Sequence, residues 1–158
     1  MSDRVAVMNA GRIEHFADPL ALYAHPRTLF TMRFVGTSSE LRGTVAARQG
    51  ARLRVDTPQG HVLAEGTHPV GARVVVATRP EHIEINTTVG PDDNRIDGRI
   101  RQITFQGSRT RVAVDIGSEA DFMVELGGVN ELPPQGQAVS LRWPAARSLA
   151  FLDASAAP

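Results

Sequence analysis

Two stretches of this 158-residue chain run through the same succession of short segments. "LRGTV", "RLRVDTPQG", "HVLAE" and "VGARVVVATRP" are followed by "IDGRI", "RVAVDIGSE", "FMVEL" and "QGQAVSLRWP". Gly43 answers Gly98, Val55-Asp56 answers Val114-Asp115, Gly71 answers Gly136, and Arg79-Pro80 answers Trp143-Pro144. The offset grows from 55 (98 − 43) to 65 (136 − 71) because the loops differ in length, as in a duplicated unit. Apolar and polar residues alternate within each segment, and Gly, Pro, Asn or Asp break the chain between segments, which is the pattern of half-buried strands in a small barrel or sandwich. Residues 38–152 are therefore expected to be mainly β, as two similar half-barrels (38–89 and 94–152) joined by the acidic "GPDDN". Strands are expected over 41–47, 52–57, 61–65, 73–79, 83–85, 95–105, 110–116, 121–126 and 138–143. Helix is nearly absent from this region. Phe105, Phe122, Trp143 and Phe151 have the spacing of core anchors, and residues 153–158 read as a disordered tail.

The first 36 residues have another texture. Val5, Val7 and Ile13 around the turn Asn9-Ala10-Gly11 predict a hairpin over 4–16. Asp18 is placed as an N-cap, Pro19 suits the first helical position, and Leu20, Leu22 and Tyr23 supply an apolar face. His25-Pro26 ends that helix. A second is expected over 27–34 with Leu29, Phe30 and Phe34, stopping at Gly36. A lone hairpin leaves strand edges and an apolar face uncovered, so residues 1–36 are expected to be mobile or to pack on a second copy, making a homodimer.

Composition excludes several chemistries. Basic and acidic residues balance at 17 each, so no bulk field favours nucleic acid or anionic lipid. Every basic residue is an arginine, and without lysine there is no Gly-x-x-x-x-Gly-Lys-Ser/Thr phosphate loop. Without cysteine there is no disulfide, thiolate nucleophile or thiolate metal site. No Gly-x-Gly-x-x-Gly or Gly-x-Ser-x-Gly is found. The longest aliphatic run, Val74-Val75-Val76-Ala77, is far short of the ~20 residues that span a bilayer.

Candidate sites are few. His61, His68 and His82 with Glu65, Glu81 and Glu84 include metal-ligating types, but no two share a ligand spacing on one element, so no metal is expected. The aromatics do not form a stacking platform, so nucleic acid is not expected as a partner. "TRPEHIEI" is the most distinctive string. Proline holds Arg79 extended, between strand and turn, with Glu81, His82 and Glu84 following. Arg79 either presents a bidentate guanidinium to a carboxylate or ends a strand in a solvated charge cluster. A small-ligand alternative places an oxyanion between halves or subunits, with Arg79, Arg95 and Arg109 as donors. No residue is a catalytic candidate.

"SDRVAVMNAGRIEHFADPLALYAHPRTLFTMRFVG" resembles the end of the nucleotide-binding domain of ABC-type import ATPases, with Ala17-Asp18-Pro19 in place of that family's Gly-Thr-Pro. "RGTV", "ATRPEHIEI", "NRIDGRI" and "ITFQGSRTRVAVDIG" are similar to the transport-associated OB-type (TOBE) domain that follows it, the polyamine (spermidine/putrescine) group most of all. The resemblance implies an OB-like fold for the duplicated region and a remnant of the ATPase domain at 1–36. It also implies ATP and magnesium sites upstream of Met1, in a part absent from this chain. A non-catalytic regulatory and dimerisation fragment is expected, cytoplasmic, at the inner face of the membrane, with transporter membrane subunits as partners of the whole protein.

Overall fold

A computed structural model describes residues 5–128 and 131–153, and the chain divides into two compact units, residues 1–38 and 39–158. In the first unit, β1 (Val5–Asn9) and β2 (Arg12–Ala17) form an antiparallel hairpin, followed by α1 (Pro19–Ala24) and α2 (Leu29–Val35). Both helix starts are capped as short polar side chains permit. Asp18 Oδ1 accepts the Ala21 N–H at 2.9 Å, and Thr28 Oγ1 accepts the Thr31 N–H at 3.1 Å. The second helix thus begins at Leu29 rather than at Arg27, because Thr28 takes the cap. Val7, Leu22 and Met32 are buried, whereas Ile13, Leu20 and Phe34 are more than 60 % exposed.

The second unit consists of two lobes. In the first, β3 (Ser39–Gln49), β4 (Arg52–Thr57), β5 (Gly60–Glu65) and β6 (Arg73–Thr78) close into a barrel with β12 (Leu149–Leu152), the last strand of the chain. In the second, β8 (Asp93–Gln106), β9 (Arg109–Asp115), β10 (Phe122–Gly127) and β11 (Ala138–Pro144) form an open sheet with β7 (Glu84–Ile85), which comes from the first half of the sequence. Each half therefore lends its last strand to the other lobe. The crossings are made by two 3-10 turns, Pro80–His82 and Ala145–Arg147. This exchange was not expected, and neither was β12, which lies in a stretch assigned no strand.

The repeat is obeyed in detail. Val45 donates to Ala72 O at 2.9 Å and Ile100 to Gln137 O at 3.0 Å; β3 and β8 carry bulges at equivalent points, after Val45 and after Ile100. At Gly43 and Gly98 the neighbouring strand leaves no room for a side chain: a Cβ on Gly98 would meet Asp115 O at 2.7 Å and Val114 Cγ1 at 2.6 Å. One landmark shifts. The turns start at Pro80 and Ala145, 65 residues apart (145 − 80), so Arg79 corresponds to Pro144 and not to Trp143. Val55, Val62, Val74, Val112, Val114, Phe122, Val124, Leu141 and Trp143 share one core that runs through both lobes. Phe122 and Trp143 contact at 5.3 Å between centroids. Phe105 is the exception to the anchor expectation: it sits near the tip of the β8–β9 hairpin, 69 % exposed, because β8 runs beyond the core.

Candidate functional site

Polar side chains tie the two lobes of the second unit together along a seam. At the start of β3, the Ser39 hydroxyl donates to Met123 O at 2.6 Å and accepts the Met123 N–H at 3.0 Å. At the equivalent start of β8, Asn94 Oδ1 accepts the Leu63 N–H at 2.7 Å while its Nδ2 donates to Leu63 O at 2.8 Å. Ser39 and Asn94 are 55 residues apart (94 − 39), the offset of Gly43 and Gly98, and each clasps the backbone of the other lobe's third strand. On the Asn94 side the network continues to Ser148 Oγ at 3.3 Å, which also accepts the Trp143 Nε1–H at 2.6 Å. Asn94, Trp143 and Ser148 are all buried, so this polar cluster is satisfied internally.

The turn carrying "RPEH" lies beside this seam. Arg79, 4 % exposed, precedes the 3-10 turn; Glu81 is exposed and His82 half-buried. Burial holds the His82 imidazole below its ordinary pKa, and the Arg147 guanidinium of the other turn adds to the depression. The crossover thus gathers Arg79, His82 and Arg147. Arg95 and Arg109 are spent elsewhere: Arg95 pairs with Asp97 at 3.2 Å on its own strand, and Arg109 with Glu125 at 3.1 Å. The histidines do not converge. His61 bonds Asp56, and His68 Nε2 is 3.0 Å from Ala150 O. Among the described residues no three His, Cys, Asp or Glu side chains form a group that could hold a metal ion, and no helix is long and apolar enough to cross a membrane.

Sequence reasoning missed Asn94, read as part of an acidic joint, and Ser148, read as nothing. Only Asn94 had a signal, the repeat offset that places it where Ser39 falls; the repeat counterpart of Ser148 is Ile83, which gives none.

Residues 76–151, the second lobe with both exchanged strands, match the TOBE domain model. The chain carries a TOBE domain. It is also 35 % identical, over 90 % of its length, to the spermidine/putrescine import ATP-binding protein PotA of Thermobifida fusca. Against the Fe(3+) ions import ATP-binding protein FbpC 2 of Rhizobium meliloti the figures are 34 % and 98 %. It aligns with the C-terminal part of such ABC importer ATP-binding subunits and spans 39 % and 42 % of these two relatives. The cytoplasmic molybdate-binding protein ModG shares the fold, with a TM-score of 0.60 at 14 % identity over 72 % of this chain and 95 % of that one.

Proposed function

We propose that this chain is the regulatory and dimerisation end of an ABC importer's ATP-binding subunit, non-catalytic by itself. The alignment over nine-tenths of the chain to import ATP-binding proteins carries the reading. The residues present do not fit ATP: there is no lysine to reach the terminal phosphates and no phosphate loop. Nucleotide and magnesium belong, in this reading, to a preceding domain of the whole protein, at the cytoplasmic face of the membrane and in contact with the transporter's membrane subunits. The names of several relatives support polyamines as the transported class. The exposed Leu20 and Phe34 of the first unit fit a surface made to be covered, by that domain or by a second copy. Two measurements test the reading. Magnesium-dependent ATP turnover by this chain would refute it, and light scattering of a concentrated sample is expected to show a dimer.

A second reading, anion sensing, is favoured by the fold shared with a molybdate-binding protein and by the Arg79 and Arg147 guanidiniums that the crossover brings near His82. Calorimetry with molybdate, sulfate and phosphate decides it: heat with any of the three that Arg79→Gln abolishes supports sensing, and three flat titrations remove it.

A further inference from the structure

The two exchanged strands are equivalent by the repeat and unequal in how they are held. β12 pairs with β6 over four residues, Leu149↔Ala77 through Leu152↔Val74, and buries Ala150 and Phe151. It is tied to β5 as well, through a parallel bridge Leu149↔Glu65 and a 2.8 Å bond from the Glu65 N–H to Ser148 O. The barrel closes as a result.

β7 has two paired residues, Glu84↔Arg142 and Ile85↔Leu141. Asn86, at φ 56, turns the chain out of the strand after accepting the Ser140 N–H at 2.9 Å and donating its own to Ser140 O at 2.8 Å. Its sheet stays open. Where Leu149 lies on Ala77 in the first lobe, the equivalent pair in the second is Glu84 on Arg142, joined at 3.0 Å. Arg142 Nε also donates to Asp93 Oδ2 at 2.9 Å. Glu84 is half exposed, and the turn leading into β7 buries the His82 Nδ1 with no hydrogen-bond partner. β12 is a four-residue strand that buries two apolar side chains, whereas β7 is a two-residue strand in which the ion pair of Glu84 stands beside Ile85, partly buried against the core.

We propose that β7 is an ion-held latch: it undocks from β11 as a local unit while both lobes stay folded, and ionic strength sets how often it does so. The charges that face it are Arg142 from β11 and Asp93 from the start of β8; the adjacent Asp92 is held by Arg52. An exposed carboxylate held by a guanidinium is the kind of contact that salt screens, whereas the burial that holds β12 is not weakened by it. Local opening of weakly packed segments below the global unfolding free energy is the general behaviour of proteins. This inference rests on residues 39–153 alone and stands whether or not the importer reading does.

Hydrogen exchange on the whole chain near pH 7.5 tests it. Peptides covering residues 81–87 are expected to exchange roughly tenfold faster than those covering 149–153. The gap should widen between about 0.05 M and about 1 M NaCl. Glu84→Gln, at a half-exposed position that leaves the core untouched, should raise exchange of 81–87 at low salt and remove most of its salt dependence. Equal protection of the two strands, parallel movement of both with salt, or an unaltered salt response in Glu84→Gln would each overturn the proposal.

Discussion

Ser39 and Asn94 meet one requirement with two chemistries. The third strand of each lobe presents a backbone N–H and C=O toward the other lobe, and a buried amide left unpaired there costs about 1–3 kcal/mol. A hydroxyl can rotate to donate and accept; a carboxamide has one atom for each task. Ser39→Ala strips both bonds from Met123 and is expected to lower stability by about 1–3 kcal/mol, read as a lower urea midpoint at unchanged slope. Gly98→Ala tests a different constraint. Its methyl would collide with Asp115 O and Val114 Cγ1 in rigid strand, so an overpacking cost of about 1–3 kcal/mol is expected. Gly43 and Gly98 were legible as landmarks because glycine within an alternating strand is conspicuous. Asn94 and Ser148 were not, because a polar residue that ends up buried looks like any loop residue until the fold supplies its partner.

At the scale of elements, the alternating segments predicted the strands well: each barrel strand expected between residues 41 and 143 is present, with ends moved by a few residues. What alternation cannot show is which sheet a strand joins. "IEI" and "SLAFL" carry the local signature of short strands or of nothing, and their exchange between lobes depends on the 3-10 turns that redirect the chain. β12 was missed for that reason, although Phe151 within it was read as a core anchor. Its importance can be measured by truncation. A chain ending at Ser148 loses one of the two strands paired with β6, together with buried Phe151, a side chain whose burial is worth about 1.5–3 kcal/mol by area. It is expected to melt well below the full chain or not to fold, while a chain ending at Asp153 melts where the full chain does. Asp153 marks the end of the described order: it donates its N–H to Arg73 O at 3.0 Å, and the tail expected from there on lies, from residue 154, outside the described residues.

On the scale of the whole molecule, each lobe contains a strand of the other, and one core serves both, so residues 39–153 should unfold in a single transition despite the duplication. The crossover contributes one stage of the pH dependence of stability through His82. His82 has its folded pKa held below 6.5 by burial and by Arg147, so the unfolded chain takes up a proton that the folded one resists. Stability from this source is complete above pH 6.5 and falls as pH drops from there toward the folded value. Asp93 acts in a lower window. The Gly90 N–H and the Arg142 guanidinium hold its carboxyl below the ordinary 3.8, so its contribution is present above that pH and is lost only as pH falls through the folded value. Urea midpoints followed from pH 7.5 to pH 3 should therefore decline in two stages. His82→Gln is expected to flatten the first stage and leave the second, Asp93→Asn to do the reverse, and a first stage unchanged in His82→Gln would show that the crossover histidine does not set it.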